Sequence, residues 1–172
     1  LMKNSEWGAV AFLTHSKYER NGQEVEINDS STYTTADGNM ITNAEQSTTG
    51  NLYGVYDLRG GAYERVAALN SAYSEITFTT STKYITAYSN STSIYSNDFT
   101  VGTVSIRGDA MEEVYVGNSS GWFNDFSQFM YVGRAFLVRG GDRSFGTKAG
   151  LFCSDYSNGS TSSYNSFRVV IV

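Results

Sequence analysis

Proline is absent from the 172 residues, and cysteine and histidine occur once each. A single cysteine excludes an internal disulfide. It also excludes a two-cysteine redox centre, and one histidine excludes a histidine-rich metal centre within the chain. No apolar run approaches the roughly 18 residues that a spanning helix requires, so no membrane span is expected in this segment. Lysine and arginine total 12 against 17 aspartates and glutamates, a net charge of −5. With no basic run or stripe, nucleic acid is not an expected partner. No signal peptide is legible. The chain opens on Leu1 and runs almost at once into a helical pattern, so it is expected to be the C-terminal part of a longer protein whose front carries the export signal or anchor. What it has instead is glycine (17), tyrosine (13) and phenylalanine (10), with 40% hydrophobic and 17% charged residues. That balance is globular. Aromatic residues mixed with serine, threonine and asparagine favour strands and turns over helices, and adaptable binding surfaces use the same mix.

Residues 4–18 form the clearest helical pattern. Trp7, Val10, Ala11 and Thr14 share one face, Asn4 or Ser5 can cap it, and Glu6 lies in the favourable first turn. Asn21-Gly22 is a turn. Residues 28–50 are polar and aperiodic and read as a long surface loop. Residues 69–107 read as an insertion, with short strand-like alternations at Ile76–Thr79 and Tyr84–Tyr88. Asp109 can cap a short helix to Val114. Trp122, Phe123, Phe126 and Phe129 fit either a helix or a packed loop, and core lining is the simpler role for them. Ala135–Val138 reads as a buried strand leading into Arg139-Gly140-Gly141, and Ser166–Val172 as a β-branched closing strand.

In the stretch Asn51–Ala67, Arg59-Gly60-Gly61 is a backbone-permissive turn flanked by Asp57 and Glu64. Two carboxylates around a glycine turn suit a hard cation such as calcium; the alternative is a turn with two solvated acids.

The run Asn51-Leu52-Tyr53-Gly54-Val55-Tyr56-Asp57-Leu58-Arg59-Gly60-Gly61-Ala62-Tyr63-Glu64 resembles the signature N-x-x-G-L-Y-D-M-x-G-N-V-W-E-W of the formylglycine-generating-enzyme-like family. Asn4–Ala11 resembles that family's E-A-E-W-E-Y-A-A helix. Val138-Arg139-Gly140-Gly141 with Ser166-Phe167-Arg168-Val169 resembles its R-G-G-S-W … G-F-R-L close. Residues 69–107 match nothing in the pattern. The resemblance implies an α+β, C-type-lectin-like fold of the formylglycine-generating-enzyme type, with short antiparallel strands, few helices and much irregular loop. Residues 1–172 would form a single lectin-like domain carrying the insertion at about 69–107. It also implies a structural calcium held by Asp57, the backbone carbonyls of Gly60 and Ala62, and Glu64. Family enzymes oxidise cysteine with paired cysteines and copper, or use a histidine-ligated iron. Neither site can be built from Cys153 and His15 alone, so neither an enzyme nor a redox cofactor is expected.

Between Arg139 and Ser166, framework residues alternate with chemically unrelated ones. The arrangement resembles the variable proteins of bacterial and phage diversity-generating retroelements, whose final segment is mutagenised at adenine-rich codons. The implied role is non-catalytic binding of a protein or glycan ligand on another cell or surface, by a domain displayed extracellularly, on a cell surface or on a phage virion. The binding face would comprise Asp142, Arg143, Ser144, Phe145, Thr147, Lys148, Cys153, Asp155, Tyr156, Ser157, Ser160, Ser162 and Tyr164. Phe145, Tyr156 and Tyr164 would supply stacking area, and Arg143, Lys148 and Asp155 polar selectivity. Arg139, Leu151, Phe152 and Phe167 would be buried supports. The alternatives are an undiversified polar loop and a structural, pilus-like subunit.

Overall fold

Trp7 sits at the junction of every layer of the molecule. The computed structural model describes residues 1–35, 38–70, 85–88, 107–131 and 133–171. Helix α1 (Asn4–His15) buries Asn4, Trp7, Gly8, Ala11 and Thr14 along one face, the 3.6-residue spacing expected from the sequence. Its cap lies one residue before Asn4 and two before Ser5, the expected caps. Lys3 is the flanking residue, and its backbone N–H donates to Glu6 Oε2 at 2.8 Å. Asn4 is instead buried, with Nδ2 donating to the Tyr88 hydroxyl. The helix stops at His15 rather than at residue 18, because Ser16 turns to extended backbone and its hydroxyl accepts the Tyr18 N–H. At Gly8 a side chain is impossible, since a Cβ there would lie 2.2 Å from the Gly108 carbonyl oxygen.

Seven strands follow among the described residues: β1 (Tyr63–Asn70), β2 (Thr86–Tyr88), β3 (Tyr115–Gly117), β4 (Ser120–Gly121), β5 (Phe136–Arg139), β6 (Ser154–Ser157) and β7 (Asn165–Phe167). β3 and β4 form a small antiparallel pair. The others make one mixed sheet in the order β2-β1-β5-β6, with β7 also paired to β1. β1–β5 and β5–β6 are antiparallel, while β1–β2 and β1–β7 are parallel. The chain is therefore α+β with few helices. The closing strand differs from expectation in two ways: it ends at Phe167 and it runs parallel to β1. Residues Arg168–Ile171 carry no ladder. Of the strand-like alternations in 69–107, Thr86–Tyr88 is β2; Ile76–Thr79 and most of the expected insertion lie outside the described residues. The segment after Asp109 forms only a single 3-10 turn, Glu112–Val114. Residues 122–130 are a packed loop, with Phe129 and Met130 buried but Trp122 and Phe123 about two-fifths exposed. No helix among the described residues is long and apolar enough to cross a membrane.

The main core gathers Trp7, Ala11, Leu58, Val66, Tyr88, Phe129, Leu137, Leu151 and Phe152 between α1 and one side of the sheet. A fully buried arginine crosses it. The Arg139 guanidinium lies 5.8 Å from the Trp7 ring and donates to the carbonyls of Ala110 and Leu151. Trp7 Nε1 donates to the same Leu151 carbonyl at 2.7 Å. The Gly60-Gly61 and Gly140-Gly141 turns, all four residues at positive φ, close on each other, with Gly60 N–H donating to the Gly140 carbonyl. At these turns the two sequence blocks thus meet through a backbone hydrogen bond.

Candidate functional site

Strand register assigns the side chains around the C-terminal segment. Directly paired residues share a face and neighbours along a strand alternate. Arg65 pairs with Val138, Val138 with Asp155, and Arg65 with Phe167. Tyr63, two residues before Arg65, joins them. This outer face lies opposite the main core. Its small apolar centre is Tyr63, Val138 and Cys153, with Phe126 and Phe145 packed against it.

Two irregular segments cover the outer face. The first, Arg143–Lys148, is a pair of 3-10 turns merged across a kink at Gly146. Asp142 caps it, its Oδ1 accepting the Ser144 N–H at 2.7 Å and the Ser144 hydroxyl. Phe145 meets the Tyr63 ring edge-on at 5.2 Å and the Phe126 ring at 5.4 Å. The second is the loop 158–164. Arg65 donates to its Ser160 carbonyl, and the Tyr63 N–H donates to the Tyr164 carbonyl at 2.8 Å. The two segments touch where the Arg143 guanidinium lies 5.5 Å from the Tyr164 ring. Tyr63 is thus the hub. Its hydroxyl also reaches Asp155 Oδ2 at 3.4 Å. Burial, and next the Cys153 and Asp155 charges, push the Tyr63 phenol well above its usual range. Burial raises the Asp155 carboxyl to about 6, against the Tyr156 N–H, the Tyr63 hydroxyl and Arg134, which favour its ionised form.

The segment sorts into supports and display. Ala149, Leu151, Phe152 and Ser154 are buried. Ser144, Thr147, Lys148, Ser160, Ser162 and Tyr164 are exposed, and Arg143, Phe145, Asp155 and Ser157 are half-buried. Four expectations are corrected. Cys153 is fully buried and not displayed, because its side chain points into the Tyr63–Val138 cluster and lies 3.4 Å from where a Gly141 Cβ would be. Tyr156 alternates to the opposite side of β6, where it packs on the main core and meets the Tyr131 ring at 5.1 Å. Phe167, expected as a support, is 65% exposed, because β7 is an edge strand. Asp142 is also buried and acts as the cap of the first segment. Arg139, Leu151 and Phe152 are buried as expected. The residues that sequence reading missed are Tyr63, Arg65 and Phe126. The signal for Tyr63 and Arg65 was the period-two alternation of Tyr63-Glu64-Arg65, and Phe126 was legible only as one of the aromatics assigned to core lining.

Asp57 and Glu64 use their oxygens differently from a calcium cage. Asp57 Oδ1 accepts from Asn28 Nδ2 at 3.0 Å and the Thr34 N–H at 2.9 Å, and Oδ2 from the N–H and hydroxyl of Thr35. Burial works to raise the Asp57 carboxyl, but those donors outweigh it and hold the group below its usual range. Glu64 Oε1 pairs with Arg168 at 2.7 Å, and the same guanidinium takes the carbonyls of Tyr56 and Asp57. Glu64 Oε2 is buried without a partner among the described residues, and burial raises this carboxyl despite Arg168. The position where one carboxylate and two carbonyls converge is filled by a guanidinium. The Gly60 N–H and Gly61 N–H are turned to Gly140 and Asn28. As folded, three of the four side-chain oxygens of Asp57 and Glu64 are taken by protein donors, and a calcium shell of six to eight oxygens would have to compete with those donors.

His15 stacks against Phe123 (4.4 Å) and Phe152 (5.0 Å), and neither ring nitrogen has a hydrogen-bond partner among the described residues. Burial, with the Arg20 and Arg59 charges, lowers it to about 4. Burial pushes the Cys153 thiol well above its usual range. A nucleophile needs a nearby base and a lowered pKa, and neither group is so placed. No family model, curated protein or solved structure matches the chain.

Proposed function

We propose that this domain is a non-catalytic ligand-binding module of the C-type-lectin-like type, displayed extracellularly, on a cell surface or on a phage virion. Its closest resemblance is to the variable proteins of diversity-generating retroelements. One observation carries the reading. Two irregular segments, 143–148 and 158–164, meet over one face of the sheet and display side chains of unrelated chemistry, while the residues between them, 149–154, are buried. A surface built to accept many side chains must lie outside the core. Core truncations cost about 2–5 kcal/mol, whereas most exposed substitutions cost under about 0.5 kcal/mol. Phe145 and Tyr164 supply aromatic contact area, and Arg143 and Lys148 supply charge beside small hydroxyls, the pairing adaptable paratopes use.

The test has two arms. Ser144, Thr147, Lys148, Ser160 and Ser162 are randomised together, and protease resistance is compared with a library at Leu151 and Phe152. The first library is expected to stay folded and the second to collapse. Binding of the fluorescently labelled domain to intact bacterial cells is then expected to be lost in the triple variant Arg143→Ala, Phe145→Ala, Tyr164→Ala. A face library that unfolds, or a triple variant that binds cells like the parent, refutes the reading.

The structural-subunit alternative is favoured by a different observation. Phe167, Val169 and Ile171 are 65, 67 and 94% exposed, an apolar edge that a neighbouring subunit would cover.

A further inference from the structure

A second concavity lies beside this face. Residues between Asn28 and Gln46 wall a cleft of about 330 Å³. Its floor is Asn28 and Thr34, both buried, and both are tied to Asp57, Asn28 through Nδ2 and Thr34 through its N–H. Gln46 completes the floor, accepting from the Thr34 hydroxyl and donating to the Ile27 carbonyl. These bonds hold the floor rigid. The walls are free. The carboxylate of Asp29, the hydroxyl of Tyr33 and the side-chain amides of Asn39 and Asn43 make no hydrogen bond or ion pair among the described residues.

The lining decides the class of occupant. An apolar ligand would strip water from these groups and leave them unpaired, at a cost per group that no apolar contact here offsets. An anion would meet Asp29, the only charged side chain among the described residues of the lining, and no cation there. What remains is a neutral ligand bearing several hydroxyls. Planar carboxylate and amide groups each offer two hydrogen-bonding positions in one plane, matching adjacent hydroxyls on a pyranose ring, and Tyr33 offers an aromatic body with a polar tip for the ring's C–H face. The volume suits one or two sugar residues. We infer that the Asn28–Gln46 cleft is a saccharide subsite independent of any metal. It joins the binding face, since the Tyr33 ring lies 3.9 Å from where a Gly61 Cβ would be and the Gly61 carbonyl accepts the Arg143 N–H. The inference therefore rests on the binding reading and names its ligand as a glycan rather than a peptide.

The experiment titrates isotope-labelled domain with methyl glycosides of glucose, galactose, mannose and N-acetylglucosamine, and separately with a capped Gly-Ser-Gly peptide, all in the presence of chelator. At least one glycoside is expected to shift the side-chain amide resonances of Asn39 and Asn43, with a Kd on the order of 1–10 mM. Tyr33→Ala and Asn43→Ala should each weaken it roughly five- to tenfold, while Lys148→Ala leaves it unchanged. Silence of those resonances up to about 100 mM of every glycoside, shifts confined to 143–148 and 160–164, or a response to the peptide but not the sugars overturns the inference. Failure of the binding-face reading shows separately, as unaltered cell binding by the triple face variant.

Discussion

Asp125→Asn should change the pH dependence of stability without changing the fold. Asp125 is fully buried beneath the segment that supports the face. Its Oδ2 accepts the Phe152 N–H at 2.9 Å, while Oδ1 is without a partner and lies against Gly150, where an added Cβ would sit 2.0 Å from it. Burial, and next the charge of Glu24, raise this carboxyl from 3.8 to about 7. The folded state therefore keeps a proton that the unfolded chain releases, and the resulting stability is complete below pH 3.8 and lost as pH rises through 7. At about 1.4 kcal/mol per pH unit, the interval of about 3 units amounts to at most about 4 kcal/mol. His15 works in the opposite sense. Lowered from 6.5 to about 4, it stabilises above 6.5 and loses that contribution as pH falls through 4, an interval of about 2.5 units or about 3 kcal/mol. Between pH 4 and 6.5 the two largely cancel in the parent. Removing Asp125 unmasks histidine, so the variant should gain about 3 kcal/mol more than the parent from pH 4 to 6.5, and His15→Phe should fall with pH instead. Urea unfolding at half-unit pH steps, followed by fluorescence of the buried Trp7, measures the difference profile. An Asp125→Asn profile parallel to the parent's would refute the assignment of a buried, neutral carboxyl at this position.

Two further outcomes are expected. Arg168→Met leaves Glu64 buried without its cation and should cost about 3 kcal/mol, the low end for a broken buried pair because the Arg168 side chain is 27% exposed; chelator should not move the melting temperature of the parent, and a drop on chelation would restore calcium to this turn. Cys153, buried with a raised thiol pKa, should react with a thiol reagent at pH 8 only at the rate of unfolding, and fast labelling of native protein would contradict its placement.

What was legible in the sequence is what depends on local pattern. The helix face Trp7, Ala11, Thr14 follows from its spacing, and the apolar run before Arg139 forms a buried strand because four such residues between turns have nowhere else to go. The two double-glycine turns were legible as turns, but their contact was not, since backbone pairing between Gly60 and Gly140 leaves no side-chain trace. The parity of β6 was the main loss. A polar strand offers no hydrophobic alternation, so nothing in Ser154–Ser157 announces that Asp155 faces Tyr63 while Tyr156 turns to the core. Cys153 looked displayed because its neighbours are polar, yet it fills the space beside Gly141. The polar cleft read only as a loop, because its shape comes from Asp57, more than ten residues downstream.

The absences noted at the outset are compensated by three arginines. A chain with no disulfide, no proline and long irregular segments must still pair the buried carbonyls of its loops, at about 1–3 kcal/mol for each left unmade. Arg59 takes Ala149 and Val25, Arg139 takes Ala110 and Leu151, and Arg168 takes Tyr56 and Asp57. Arg59 and Arg139 each bridge two segments distant in sequence, and Arg168 ties the C-terminal stretch to the 56–57 turn, because the guanidinium fork presents several donors in a fixed plane. Two of the three grip the 149–151 backbone, and Trp7 adds a donor to the same Leu151 carbonyl. The stretch beneath the exposed face is thus fastened through its main chain, which no change of a neighbouring side chain can remove. The tolerance proposed for the face would rest on that arrangement: the stretch beneath it is held by its carbonyls, and carbonyls are the same whatever residue bears them.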